Sequence, residues 1–467
     1  MSRFSDYIQK TFSFSSWEAD EIIAAMIKPI GKSIRINTRK ITLENFKLHA
    51  KEQWWALTET DIPEVFLIDR DDTTIALGNT IEHVAGWFYI QEVAAAHPPY
   101  LLKKHIANHP DKILDMCASP GGKTTQLADY FPDSLIIANE VNRTRTPQLF
   151  DNLDRMGYDN IAVVSCDGRF FQNFPDFFDA VLLDAPCSGE GTAFRDSSIV
   201  DHWHEKNIDR IAKLQKQLME TAEAVTAPGG TLSYSTCTLN KEENERVIES
   251  AIYNLQSTMV EDKKNSQIDN WRLIIEDWSL QKNMVMLFCY CFCPHIEHTG
   301  GFFASIFQKK NTSQAEHDYP VLAAQGQKNL IVTPATKGER EIVERFIAKH
   351  LKSTLKNGFL YVTKDGVYFN QRNLGPLAEY FFFVHAGTKI GTIKGNTFTP
   401  IHHLWWCLDK TDEILHITIK NQDWSSILQG KHPQYSSFVD GWYVGDFWKG
   451  TIGLCSVKEG NLYIPRS

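Results

Sequence analysis

The chain has 467 residues, beyond the ~250–300 at which a single hydrophobic core stops growing, so two or three domains are expected. Apolar residues make up 43% of it, enough for a core in each, yet no apolar run approaches the ~20 residues that span a bilayer. The net charge of −9 excludes a uniformly basic nucleic-acid binder, but it is uneven: residues 321–467 carry 17 Lys and Arg against 12 Asp and Glu, leaving 31 against 45 for residues 1–320.

The opening Met1-Ser-Arg-Phe-Ser-Asp-Tyr lacks the apolar stretch of a secretory signal, and the cysteines are mostly spread singly, as in a reducing compartment. A cytoplasmic, monomeric protein without membrane contact is the expectation. Residues 16–30 carry apolar positions at helical spacing behind Ser16 as a candidate N-cap. In Ser33-Ile-Arg-Ile-Asn-Thr-Arg the alternation of a strand puts Arg35, Asn37 and Arg39 on one face, either to grip phosphates or as an exposed polar face. From Lys112 the pattern repeats strand, turn, helix: strands begin near 112, 134, 160, 178 and 231, and the longest helix covers 203–225. That alternation implies an α/β, Rossmann-like, doubly wound parallel sheet. Segments 284–292 and 301–307, around His298-Thr-Gly-Gly, read as an antiparallel pair closing it. Between them, Cys289-Tyr-Cys291-Phe-Cys293-Pro-His295 alternates as one strand face and lacks zinc-ligand spacing, so no metal is expected. The polar stretch 309–319 reads as a linker, followed by an amphipathic helix at 339–355 and short β-like runs. The expected division is 1–85, an N-terminal RNA-binding segment; 86–310, the α/β core; 311–325, a linker; and 326–467, a mostly β C-terminal domain.

Between the first core strand and its helix lies Asp115-Met-Cys117-Ala118-Ser119-Pro120-Gly121-Gly122-Lys123-Thr. Glycines there let a ligand approach the backbone. A Walker A loop would need glycine at position 117, where cysteine stands, so ATP phosphates are disfavoured. Instead, Asp115, Glu140, Asp167 and Asp184 follow the first four core strands in order. Ligands of open α/β sheets bind outside the carboxyl ends of strands, so these acids could share one crevice. Four carboxylates repel a polyphosphate but suit S-adenosylmethionine, which offers a sulfonium, an ammonium, ribose hydroxyls and an adenine amine.

Two cysteines follow the next strand ends, in Asp184-Ala-Pro-Cys187-Ser-Gly-Glu-Gly and in Ser233-Tyr-Ser-Thr-Cys237-Thr-Leu-Asn. With Gln91-Glu-Val-Ala-Ala and Pro-Gly-Gly-Lys-Thr, these motifs resemble the RNA cytosine-5 methyltransferases, and within them the branch that acts on bacterial 16S ribosomal RNA. The resemblance implies that Cys237 is the nucleophile and that Cys187 helps remove the C5 proton. It assigns Cys117 to Lys123, Glu140, Asp167 and Asp184 to S-adenosylmethionine. It also implies a PUA-like, RNA-binding C-terminal module and ribosomal RNA or the small subunit as partner. A transfer-RNA methyltransferase and a catalytically silent ribosome assembly factor are the alternatives.

Overall fold

The computed structural model describes residues 3–12, 15–71, 73–251, 278–279, 284–292, 294, 298–311, 317, 319, 332–411 and 413–465. The chain opens with helices Arg3–Phe12 and Ser16–Ile27. Ser15, one residue before the expected cap, takes that role: its hydroxyl accepts from the Glu18 amide, and the Glu18 carboxylate accepts from the Ser15 amide. Four antiparallel strands follow, β1 (Lys32–Ile36), β2 (Trp55–Glu59), β3 (Val65–Arg70) and β4 (Phe88–Ile90), in the order β2-β3-β1-β4.

The core sheet begins with β5 (Lys112–Asp115), β6 (Leu135–Asn139), β7 (Ile161–Val164), β8 (Phe178–Asp184) and β9 (Thr226–Thr236), all parallel. β5, β6 and β7 are apolar almost without alternation because helices cover both faces. Beyond β9 come β10 (Trp278–Ser279), β11 (Met284–Phe292) and β12 (Phe302–Lys309), all paired antiparallel; β11 and β12 are the expected pair and β10 is an addition to it. The spatial order is β10-β11-β12-β9-β8-β5-β6-β7, followed by the strand Phe383–His385, which the C-terminal region lends to the edge at β7. From β5 the chain winds to β6 and β7 on one side, then returns to β8 on the other. The switch point therefore lies between β5 and β8.

Residues 332–465 build two sheets, five strands between Thr333 and Pro400 and four between His416 and Tyr463. The second shares one core with the N-terminal sheet, where Ile34, Phe66, Trp87 and Phe88 meet Ile417, Tyr443, Phe447 and Ile452. The expected helix at 339–355 runs Lys337–Leu351 behind a Thr336 capping box. Within the expected linker stretch, Lys309 and His317 both bond Asp176, and Tyr319 packs on Phe174 and Phe177. Cys289 and Cys291 are buried on β11, whereas Cys293 and His295 lie outside the described residues.

The β1 face differs from both readings of it. Arg35 and Asn37 are fully buried. Arg35 donates to Gln91 at 2.9 Å, the Gly122 carbonyl at 3.2 Å and Thr125 at 2.7 Å, while Asn37 donates to the Gly86 and Met156 carbonyls. Arg39 is tied to Asp159 at 2.9 Å. The face meets helix Gly122–Tyr130 and the end of helix Thr146–Met156, so it is a seam inside the protein. β1 ends at Ile36, so the expected strand face holds for Arg35 but does not extend to Arg39, which is exposed beyond it.

Candidate active site

The carboxyl ends of β8, β5, β6 and β7 stand side by side, and each is followed by one acid. Neighbouring strands are ~4.8 Å apart, so Asp184, Asp115, Glu140 and Asp167 line an edge of about 14 Å. Asp115 is 1% exposed; one carboxylate oxygen accepts from Thr124 at 2.7 Å and the other has no hydrogen-bond partner. Burial, reinforced by Asp184, pushes its pKa up to about 7. Glu140 is also buried; it accepts from the Asn142 amide at 2.7 Å and lies 3.6 Å from Arg145. Asp167 sits at the exposed rim, where it caps a short 3-10 turn and pairs with Arg169 at 2.6 Å.

The loop from Cys117 to Lys123 closes this edge from one side. Gly121 adopts φ 103°, open to glycine without strain, and a Cβ there would meet Leu149 at 3.0 Å. The loop is braced from the N-terminal sheet: Arg35 bonds the Gly122 carbonyl, and the Tyr89 hydroxyl donates to that of Pro120 at 3.4 Å. Ala118 and Ser119 lie buried within it, each bonded to neighbouring backbone. Cys117 is embedded beside Asp115, Asp184 and Glu140; burial and then Asp115 raise its pKa well above the ordinary thiol value, so it stays a neutral thiol.

Lys123 reaches across the switch point to Asp184 at 2.7 Å, and Ser235 on β9 donates to the other oxygen of Asp184 at 2.7 Å. Burial opposes the Lys123 charge, but Asp184 outweighs it and holds the pKa above the ordinary lysine value. Cys187 follows β8, and Cys237 ends β9. Their sulfurs are 3.1 Å apart, too far for the ~2.05 Å of a disulfide and close enough for one to donate its proton to the other. Both thiols are free and half-buried. The contact with Cys237, then burial, raises the Cys187 pKa well above the ordinary thiol value.

The structure thus brings Asp115, Glu140, Asp184, Lys123, Cys187 and Cys237 to one edge, with Asp167 at its rim. Sequence reasoning passed over Glu190, Asn240 and Glu243, which lie fully buried behind the thiols. The available signal was polar residues within the two cysteine motifs, for Glu190 and Asn240, and three residues beyond the second, for Glu243.

S-adenosylmethionine fits this donor set: the unpartnered Asp115 oxygen and the acid row offer acceptors for its cationic and hydroxyl groups. Gly121 leaves backbone open beside them. Among the described residues no group of His, Cys, Asp and Glu could hold a metal ion, and no helix is long and apolar enough to cross a membrane.

Residues 101–308 match the family described as 16S rRNA methyltransferase RsmB/F, and residues 2–93 match the N-terminal domain of 16S rRNA methyltransferase RsmF. The ribosomal RNA small subunit methyltransferase F of Vibrio vulnificus strain YJ016 is 32% identical over 410 residues, 86% of this chain and 83% of its own. That of Shewanella loihica is 33% identical over 388 residues, 82% and 77%, so both alignments reach past the α/β core. Among solved structures, PH0851 superposes with a TM-score of 0.52 at 25% identity, covering 65% of this chain and 68% of its own. NSun6 from Pyrococcus horikoshii gives 0.53 at 21% identity, covering 66% and 98%, and shares the fold.

Proposed function

Because the chain belongs to the small-subunit ribosomal RNA methyltransferase F family, we propose that this S-adenosylmethionine-dependent enzyme methylates C5 of a cytosine in 16S ribosomal RNA through a covalent Cys237–C6 intermediate. C5 of cytosine is a weak nucleophile. Addition of the Cys237 thiolate to C6 converts C5 into an enamine-type carbon able to attack an electrophilic methyl group. S-adenosylmethionine, when bound, supplies that methyl on its sulfonium.

The protein's own groups divide the remaining work. The Cys117 to Lys123 loop, Glu140, Asp167 and Asp115 hold the methyl donor. Asp184, fixed by Lys123 and Ser235, stands between the donor edge and the thiols and orients the base or the donor's ammonium. Cys187 takes the C5 proton, after which the C6–Sγ bond of Cys237 breaks. The target cytosine leaves its stack to reach the thiols, at a cost of a few kcal/mol.

The observation that carries this reading is the 3.1 Å contact of Cys187 and Cys237 on neighbouring loops beside the acid-lined edge. A single buried cysteine would be ordinary packing, and two thiols in contact on adjacent loops at the carboxyl edge of the sheet are not. The test uses 16S ribosomal RNA and labelled S-adenosylmethionine. Cys237→Ala should abolish methylation and retain donor binding, whereas Cys187→Ala should accumulate a denaturation-resistant protein–RNA adduct. Normal methylation by Cys237→Ala, or an adduct through Cys187, would overturn it.

A further inference from the structure

The two cysteine loops come from different strands, and their contact has to be held by something other than the sulfurs. One carboxylate does most of it. Glu243 is fully buried behind the loops. Its Oε2 accepts from the Ser188 amide at 3.0 Å and from Gln215 Nε2 at 2.8 Å. Its Oε1 accepts from Asn240 Nδ2 at 2.7 Å and from the Ser188 hydroxyl. Gln215, on helix Glu205–Val225, also donates to the Pro186 carbonyl at 2.9 Å. Of the residues flanking Cys187, Ser188 is therefore fastened to the acid directly and Pro186 through Gln215.

The same acid governs the Cys237 side. Its amide donates to Asn240 Oδ1 at 2.9 Å, and its carbonyl accepts from the Tyr234 hydroxyl at 2.5 Å. Asn240 in turn donates to Thr238, the residue after Cys237, at 2.8 Å and to Glu190 at 2.9 Å. All four partners of the Glu243 carboxylate are donors, so only an acceptor on both oxygens satisfies them. A glutamine has the same shape but turns an NH₂ toward two donors.

We propose that Glu243 is a positioning residue for the thiol pair, setting where Cys187 stands relative to Cys237 and so governing release of the methylated base. The inference rests on the roles of Cys237 and Cys187 proposed above. In the release step the C5–H bond breaks and its proton goes to the Cys187 sulfur, while the proton Cys187 already carries passes to the departing Cys237 sulfur 3.1 Å away. The freed electron pair forms the C5–C6 double bond as the C6–Sγ bond of Cys237 breaks and returns a thiol. A displaced Cys187 leaves addition and methyl transfer possible and stalls this step. Loosening the clamp should therefore imitate loss of Cys187, which general destabilisation would not do.

The experiment compares full-length wild type, Cys187→Ala, Glu243→Gln and the milder Gln215→Leu on 16S ribosomal RNA with S-adenosylmethionine. Turnover and denaturation-resistant adduct are measured, with donor affinity determined separately. Glu243→Gln should slow turnover about 100-fold and accumulate adduct as Cys187→Ala does, with donor affinity within about twofold of wild type. Gln215→Leu should move both readouts the same way by a smaller factor, and it serves if Glu243→Gln fails to fold. If Cys187→Ala traps adduct while the folded clamp variants turn over normally, or slow without adduct, the inference is wrong and the reading of the thiols stands. If Cys187→Ala traps no adduct, the thiol roles fail and the inference with them.

Discussion

Gly191 offers a strict geometric test of how closely the Cys237 loop is held. It lies between that loop and the turn before β12: its amide donates to the Cys237 carbonyl at 3.0 Å, and its carbonyl accepts from Gly301 at 3.0 Å. A Cβ at position 191 would fall 1.8 Å from the Gly301 oxygen and 2.5 Å from its carbonyl carbon. Comfortable contacts are ~3.5 Å, so Gly191→Ala must push the segments apart by roughly 1.7 Å. Both neighbours are backbone, which no side-chain rotation relieves. Opening the two hydrogen bonds leaves buried groups unpaired at ~1–3 kcal/mol each, about 2–6 kcal/mol together. The Cys237 loop moves with its carbonyl, and a displacement near 1 Å at the reacting atom lowers rate about 100-fold. The assay pairs kcat on ribosomal RNA with calorimetric binding of a non-reactive donor analogue, whose site lies across the switch point. Expected are a loss of kcat near two orders of magnitude, a lowered melting temperature and donor binding close to wild type. A wild-type kcat, or equal losses of kcat and donor affinity, would refute the reasoning.

Asp115 should make donor affinity pH-dependent. With its pKa up at about 7 against the ordinary 3.8, it is largely neutral at pH 6 and ionised at pH 8, so binding of the cationic donor should tighten across that range. Asp115→Asn should flatten the difference. The sign for stability is opposite: between about pH 4 and 7 the folded protein keeps a proton the unfolded chain has lost, so this group's contribution falls as pH rises. Asp115→Asn should accordingly raise the donor-free melting temperature at pH 8 and leave it nearly unchanged near pH 4; no gain at pH 8 would contradict this. Arg35→Met removes three hydrogen bonds from a buried guanidinium beneath the donor loop. A loss of about 2–4 kcal/mol in urea unfolding and roughly tenfold weaker donor binding are expected, with only partial recovery in Arg35→Lys because a point charge lacks the fork. Unchanged donor binding would show that the N-terminal sheet does not support the loop.

Much of the site was legible before any tertiary contact was known. The strand-and-turn period from Lys112 onward specifies a parallel sheet, because a 3.6-residue pattern between apolar runs has only the sheet faces to cover. A parallel sheet sends every strand end to one edge. Asp115, Glu140, Asp184, Cys187 and Cys237 could therefore be placed together from their positions alone, with Asp167 near them. Local chemistry was read equally well where it is local, as in the β11–β12 hairpin and the helix starts, shifted by one or two residues.

What the sequence could not supply was the identity of neighbours from distant segments. Alternation at β1 assigns Arg35 and Asn37 to a common face, but their burial depends on helices 90 and 119 residues away. The union of the N-terminal sheet with the strands after His416 has no local signature, since each contributes an ordinary apolar face. By itself the sequence determined the chemistry available and the edge on which it gathers. Only the tertiary structure decided the 3.1 Å between the thiols. That separation comes from packing two loops against Glu243, Asn240 and Gln215, and hydrogen bonds between segments are satisfied by geometry that spacing along the chain does not encode.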